Sequence, residues 1–411
     1  MPGPFYYGWI LDLALGITTI ISYGTTQYLF GVLLVPIARE LGWSRATISG
    51  ALSVGLVLSG LLGLPIGRAV DRHGARWLMA AGSALAGLTL IALSRVRAPW
   101  QFYLLWSGGL GLATALTFYP VSFTVVANWF QRKRGAALAL LTLVGGLASP
   151  IFIPLAGWLV PRLGWRGTVL ALGLVQLAVA VPLHGLVVRR HPEDLGLRPD
   201  GEPAPEAPPA QRPHGLAPRA ALRRPAFWTL TVAASASMLA ASALLAHQVA
   251  YLIGRGYAGV LAATVAGAVG LASLPGRFVL NVLSDHVGPR GLLALCYAAQ
   301  AAGVAALLLA SSTAWLVAYA AVYGAGFGAV SPLRASVMAE QFGRRAYGSV
   351  TAAQGVPAAL CAGLGPLLAG RLYDALGTYQ LAFALAAGGF LLASLGVAVT
   401  PPPGGEDATG S

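Results

Sequence analysis

One arginine stands where its neighbours offer it no water. Arg277 lies in Leu274-Pro275-Gly276-Arg277-Phe278-Val279-Leu280, eight residues before Asp285. At 1.5 Å per helical residue that is about 12 Å inside an apolar segment. A guanidinium at the centre of a membrane span costs about 2.5–3.5 kcal/mol even on a lenient insertion scale, so it should face a polar cavity. Its planar fork can donate two parallel hydrogen bonds to a carboxylate, which makes a carboxylate its natural ligand. Snorkelling or pairing with another helix is the alternative, but no acidic residue at matching depth supplies the partner.

Other side chains at comparable depth suit the same task. Tyr119 stands ten residues before Trp129, about 15 Å along a helix, and its phenol can donate a hydrogen bond to a bound solute. Tyr28, Phe118 and Phe327 could wall a short alkyl chain, although aromatic residues in apolar helices more often only pack. For reversible protonation, His247 has the right chemistry near neutral pH. Asp12, one to two turns into the first segment, is the second candidate, with a capping or helix-pairing role as its ordinary reading. His184, close to the end of the sixth segment, reads as interfacial.

These residues need a bilayer around them. The chain is 57% hydrophobic and only 9% charged, far from the quarter-charged makeup of a soluble domain. Apolar stretches fall near 6–36, 46–68, 77–96, 101–128, 136–160 and 167–188, and again near 226–253, 258–284, 291–311, 313–339, 349–371 and 379–400. Each is long enough to cross a membrane. The expectation is therefore an all-α integral membrane protein of twelve transmembrane helices in two pseudo-symmetric six-helix bundles. Tyr6, Tyr7, Trp9, Trp100, Trp129 and Trp228 sit at segment ends, where aromatic rings favour the headgroup layer. No cleavable signal peptide is visible, so the first segment is expected to stay as a helix.

The division expected is an N-terminal bundle over 1–188, a linker over 189–225, a C-terminal bundle over 226–400 and a disordered tail over 401–411. The linker mixes proline, alanine and charge and cannot form a core. Arginines 189, 190, 198, 212, 219, 223 and 224 lie in it, and by the positive-inside rule they put it, and both termini, in the cytoplasm. The net charge of +13 does not imply nucleic acid, because the arginines are spread over segment ends and form no single basic patch. Cys296 and Cys361 lack metal-type spacing, a disulfide framework is not expected, and no nucleophile or phosphate-loop constellation stands out. Neither an enzyme nor a cofactor is expected.

Internal repetition is the more specific signal. Gly67, Asp71, Arg72, Gly74 and Arg76 follow the second segment, and Asn281, Asp285, His286, Gly288 and Arg290 follow the eighth with the same spacing, 214 residues later. Tyr119-Pro120 and Ser331-Pro332 differ by 212, while Gly157 and Gly164 match Gly370 and Gly377 at 213. Duplicated halves of this kind place a solute site near the midplane and rock to give alternating access. Asp71, Arg72, Arg76, Asp285 and Arg290 then read as gating residues, making helix-end interactions that break on rocking. Positive-inside topology alone would also account for the basic members.

The loop Gly67-Arg68-Ala69-Val70-Asp71-Arg72-His73-Gly74-Ala75-Arg76 resembles the signature of the major facilitator superfamily between helices two and three. Tyr7-Gly8-Trp9, Trp129-Phe130 before basic residues and Gly135, and Gly164-Trp165-Arg166 resemble its monocarboxylate transporter and oxalate:formate antiporter branch. So do Pro192-Glu193-Asp194-Leu195-Gly196-Leu197, Pro199-Asp200-Gly201 and Gly365-Pro366-Leu367-Leu368-Ala369-Gly370-Arg371-Leu372-Tyr373-Asp374. The resemblance implies that Arg277 is the ligand of the substrate carboxylate and that a helix-four tyrosine contacts substrate. Ser273 stands where some animal members carry an aspartate, one turn before the arginine, and joins the substrate-binding candidates. The first segment has no lysine where those members have one, and the helix-eleven lysine of the oxalate antiporter is also missing, because Lys133 is the only lysine in the chain. One buried cation suits a monoanion.

The expected activity is proton-coupled symport of a small monocarboxylate, lactate- or pyruvate-like, by a carrier in a bacterial inner membrane that works as a monomer. Its partners are then the carboxylate, protons and the lipid bilayer, with no nucleic acid. Carboxylate exchange is the alternative, followed by a metabolite sensor that binds without transporting. Arg277 suits a multidrug exporter of organic cations poorly.

Overall fold

The computed structural model describes residues 6–130, 133–201, 216, 218–343 and 347–401, apart from a few side chains within helices. The described residues are helical apart from short turns and connections. Among the described residues, eleven stretches are long and apolar enough to cross a membrane. One of them, Arg134–Val187, runs for 54 residues, far more than the roughly 20 that a bilayer needs. It folds back at Gly164, whose φ of 66° breaks the helix. This left-handed conformation is one that a residue with a Cβ rarely adopts. Two passes therefore share that stretch, and the expected twelve helices are present.

In chain order they are α1 (Tyr7–Leu41), α2 (Arg45–His73), α3 (Ala75–Leu93), α4 (Pro99–Trp129), α5 (134–163), α6 (165–187), α7 (Pro225–Gly254), α8 (Gly259–Val287), α9 (Pro289–Leu308), α10 (Thr313–Phe342), α11 (Tyr347–Leu376) and α12 (Gln380–Val399). Large apolar side chains such as Leu88, Leu295 and Leu392 lie on the outside, a surface that lipid tails cover and water would not.

Two compact units result. The first holds Met1–Pro208 with Leu252–Gly267, and the second Pro209–Tyr251 with Ala268–Ser411. The sequence division at the linker differs from this, because residues 252–267 at the junction of α7 and α8 group with the first unit. The linker is not wholly without structure either. Pro192–Leu195 and Pro199–Gly201 form 3-10 turns and Pro218–Arg223 a short helix, while 202–215 and the tail from 402 lie outside the described residues.

Duplication is visible in the packing. A Cβ on Gly111 of α4 would lie 3.0 Å from the carbonyl oxygen of Gly55 on α2, and one on Gly324 of α10 would lie 2.5 Å from that of Val269 on α8. Each unit thus has a crossing at which helix backbones touch, the close approach that small residues permit in membrane helices.

Both α1 and α4 depart from regular helix where functional side chains sit. In α1 a π turn spans Gly24–Tyr28, and the missing Cβ of Gly24 lets the Phe152 ring of α5 lie against the helix backbone. In α4, Phe118 is extended (φ −83°, ψ 177°) and a new helical stretch begins at Tyr119 with Pro120 in its first turn. Proline is tolerated there because its missing N–H would have been unpaired anyway.

Candidate functional site

In the second unit the residues around Arg277 are placed by the α8–α10 crossing. A Cβ on Gly328 would collide with the carbonyl of Ser273, and one on Gly276 with the carbonyl of Ala325. With the two backbones in contact, the half-buried Arg277 donates from Nε to the Gly328 carbonyl at 3.2 Å. Ser273 is buried and its Oγ donates to Gly270 of its own helix at 2.6 Å. Phe327, beside Gly328, stacks on Tyr323 with ring centroids 5.9 Å apart and planes 15° from parallel. Ser273 and Arg277 therefore meet α10 at one crossing, and Phe327 is the chain neighbour of the Gly328 that forms it.

The first unit gathers the other three, Tyr28, Phe118 and Tyr119, around a residue that the sequence reading missed. Tyr23 stacks on Phe118 with centroids 3.6 Å apart, and lies 5.1 Å from the ring of Tyr119 and 6.4 Å from that of Tyr28. Five residues apart, Tyr23 and Tyr28 would face different ways on a 3.6-residue helix. The π turn between them widens the turn and brings both to one side. The Tyr119 hydroxyl lies over Gly145 of α5, 2.5 Å from where a Cβ would stand.

His247 is fully buried in α7 and bonded at both ring nitrogens. The Pro366 carbonyl, 2.9 Å from Nε2, can only accept, so Nε2 carries the hydrogen. Nδ1 then accepts from the Tyr379 hydroxyl at 3.0 Å. The next residue, Gln248, accepts from the Tyr319 hydroxyl. These bonds tie α7 to α10, α11 and the start of α12. Asp12 is also fully buried, and neither carboxyl oxygen has a hydrogen-bond partner among the described residues.

Two of the gating candidates hold the end of a helix in their own unit. Arg76 Nε donates to the Gly185 carbonyl in the last turn of α6 at 2.6 Å, and Arg290 Nη1 to the Thr400 carbonyl that ends α12, also at 2.6 Å. The repeated arginines thus place a positive charge at the negative end of the sixth helix of each set. Arg72 is exposed. The side chains of Asp71 and Asp285 lie outside those that the structure describes.

Residues 188–201 form a strap over this end of the first unit. Trp129 Nε1 donates to the Arg189 carbonyl at 3.1 Å, the Lys133 N–H to Asp200 Oδ1 at 3.2 Å, and Tyr7 to the Val187 carbonyl at 2.8 Å. The Tyr6 hydroxyl donates to the Trp129 carbonyl at 2.8 Å. Burial, and then the nearby Asp200 charge, push that hydroxyl up to about 12, so it stays protonated as a donor. Two expectations are corrected here. Trp129, expected in the headgroup layer, is fully buried because the strap and the rings of Tyr6 and Tyr7 cover it. His184, expected at the interface, is fully buried and shares Nδ1 with Ser83 Oγ at 2.9 Å.

Residues 15–366 match the Major Facilitator Superfamily. The chain belongs to that superfamily. It is a multi-pass membrane transporter and not an enzyme. Monocarboxylate transporter 13 of Bos taurus is 30% identical over 402 residues, covering 96% of this chain and 89% of the relative. Among solved structures, a bacterial homologue of the human lysosomal transporter Spinster, in an inward-facing and unoccupied conformation, aligns with a TM-score of 0.71 at 17% identity, covering 97% of this chain and 96% of the other. A point mutant of the nucleoside transporter NupG aligns at 0.74 and 14% identity, covering 95% of this chain and 99% of the other. These two similarities support the fold alone.

Proposed function

We propose that this member of the major facilitator superfamily belongs to the monocarboxylate transporter and oxalate:formate antiporter branch and carries a small monocarboxylate, lactate- or pyruvate-like, together with a proton. Arg277 carries the reading. It is a permanent cation in the middle of α8, oriented by the Gly328 carbonyl, and its planar fork suits a carboxylate. Ser273 lines the same crossing. Phe327, the neighbour of Gly328, offers a ring for the short apolar remainder of such an acid. The relative named as a monocarboxylate transporter supports the substrate class.

In this mechanism the substrate's negative charge and the proton make the translocated load neutral. The arginine-rich linker puts both termini in the cytoplasm of a bacterial inner membrane, and the carrier works as a monomer. Asp71, Arg72, Arg76, Asp285 and Arg290 act as gating residues at the helix ends.

The test is uptake of labelled short monocarboxylates into proteoliposomes under an imposed pH gradient, with wild type compared against Arg277→Lys and Arg277→Ala. Uptake by wild type and its loss in both variants is expected. Full transport by both, or no carboxylate uptake under any gradient, would sink the proposal.

A further inference from the structure

Polar atoms buried without a hydrogen-bond partner are rare in folded proteins, and each needs a reason. In the first unit several lie on α1 or on helices packed against it: both carboxyl oxygens of Asp12, Thr19 Oγ1, Ser122 Oγ and His184 Nε2. Asp12 and His184 are the two that can carry a charge; His184 has one ring nitrogen bonded to Ser83, whereas neither oxygen of Asp12 has a partner among the described residues.

Its position follows from the glycines on either side. A Cβ on Gly8 would lie 2.9 Å from the Phe130 ring, and one on Gly16 would lie 2.8 Å from Val144 Cγ1. Gly8, Asp12 and Gly16 share one face of α1 at four-residue spacing. Thr19 continues the stripe, packing over Gly145 next to the Tyr119 hydroxyl. Asp12 therefore sits in the seam where α1 packs on α5, with the Phe130 ring against α1 before it and Val144 of α5 against α1 after it.

Among the described residues no charge compensates it there. The elements packed on the Tyr7–Tyr23 stretch of α1 carry Arg134, exposed at the start of α5, His184, bonded to Ser83, and the phenols of Tyr28 and Tyr119. They also carry Arg162, which donates to Trp158, and Arg166, held by Glu40. None of these hydrogen-bonds Asp12. An ionised carboxylate in this seam would have given up water for neither a donor nor a counter-charge. The other proton candidate, His247, has both ring nitrogens engaged in pinning α7 to its neighbours.

We infer that Asp12 is the group that carries the coupled proton, neutral while the α1–α5 seam is closed and ionised when the seam opens to water. The step is a plain proton exchange. The carboxyl O–H bond breaks, its electron pair stays on oxygen and the proton passes to water; the reverse occurs on reloading. This inference rests on the proposed symport, and the experiment separates the two.

The full chain is reconstituted as wild type and Asp12→Asn, and two quantities are read: carboxylate counterflow at equal pH, and proton movement driven by a carboxylate gradient and followed with a pH-sensitive dye. The asparagine variant is expected to lose proton movement at least about tenfold while counterflow falls no more than about threefold. Proton movement equal to wild type in Asp12→Asn overturns the inference and leaves the symport reading standing. Absence of carboxylate transport by the wild-type chain overturns the symport reading and, with it, this one.

A second measurement does not depend on the variant folding. A hydrophobic carbodiimide reacts with protonated carboxyls in apolar surroundings, and mass spectrometry of the labelled wild-type chain locates the adduct. Labelling at Asp12 near neutral pH is expected, fading as the pH is raised. An unlabelled Asp12 across the whole range overturns the inference.

Discussion

Arg277 Nε donates to the carbonyl of Gly328 at 3.2 Å, across a helix crossing at which Gly328 has no room for a side chain. The two facts belong together, because the contact that forbids a Cβ also brings that carbonyl within reach of the arginine. Gly328→Ala is expected to force α10 away from α8, costing about 1–3 kcal/mol of stability by overpacking. Transport should be lost with it. Thermal unfolding in detergent together with uptake would check this, and an unshifted transition would show that the crossing is looser than described.

At Arg277 itself, lysine keeps the charge and loses the fork. Substitution by lysine is expected to lower kcat/KM for the carboxylate by about tenfold or more, equivalent to about 1.4 kcal/mol. Alanine should do worse than lysine. If the lysine variant matched wild type, the guanidinium geometry would be irrelevant and a point charge would suffice.

The helix-end arginines make a separate case. Removing Arg76 or Arg290 deprives the Gly185 or Thr400 carbonyl of its donor, and each alanine variant is expected to cost about 1–2 kcal/mol. Melting temperatures of Arg76→Ala and Arg290→Ala should therefore fall by comparable amounts. A gating role adds a second effect, a change in transport rate at temperatures where the variant remains folded.

Near the Gly164 break, Arg166 makes several bonds at once. It donates from Nε to Glu40 Oε1 at 2.7 Å, from Nη1 to the Ser94 carbonyl at 2.8 Å and from Nη2 to the Val96 carbonyl at 2.7 Å. The Trp165 indole donates to the other oxygen of Glu40 at 2.7 Å. Because the ion pair is partly exposed, Glu40→Gln is expected to cost less than about 1 kcal/mol. Arg166→Ala should cost more, since two carbonyls lose their donor. Chemical unfolding of the two variants orders them, and equal destabilisation would assign the whole effect to the ion pair.

Neutral loading has a signature in the driving force. A net charge moved through 100 mV exchanges about 2.3 kcal/mol, and a proton moved across one pH unit about 1.36 kcal/mol. Symport of a monoanion with one proton should respond to an imposed pH gradient and not to a potassium-diffusion potential. Uptake driven by the potential alone would count against that stoichiometry.

Sequence alone determined what depends on composition and local spacing. Apolar length sets the solvent, since a chain this poor in charge can hide its helices only in lipid. The repeat of Gly67 to Arg76 at Asn281 to Arg290 reveals the duplication, because loop chemistry recurs wherever a scaffold recurs. Arg277 announces itself, as a charge inside an apolar run is costly whatever surrounds it. Even Gly164, where one 54-residue run becomes two passes, was visible through its match to Gly377.

Tertiary structure decided what depends on partners distant along the chain. Tyr23 escaped notice because a 3.6-residue period turns it away from Tyr28, and only the π turn beside Phe152 brings them together. Trp129 reads as interfacial by its place at a segment end, yet a strap some sixty residues later covers it, its indole bonded to the Arg189 carbonyl. By sequence His247 ranks ahead of Asp12 as a proton carrier, because its chemistry suits neutral pH and a carboxylate near a helix start reads first as a cap. They differ through their neighbours: His247 meets a carbonyl and a hydroxyl from distant helices, whereas Asp12 meets no such group among the described residues. Burial without a partner is a property of packing that no local pattern encodes.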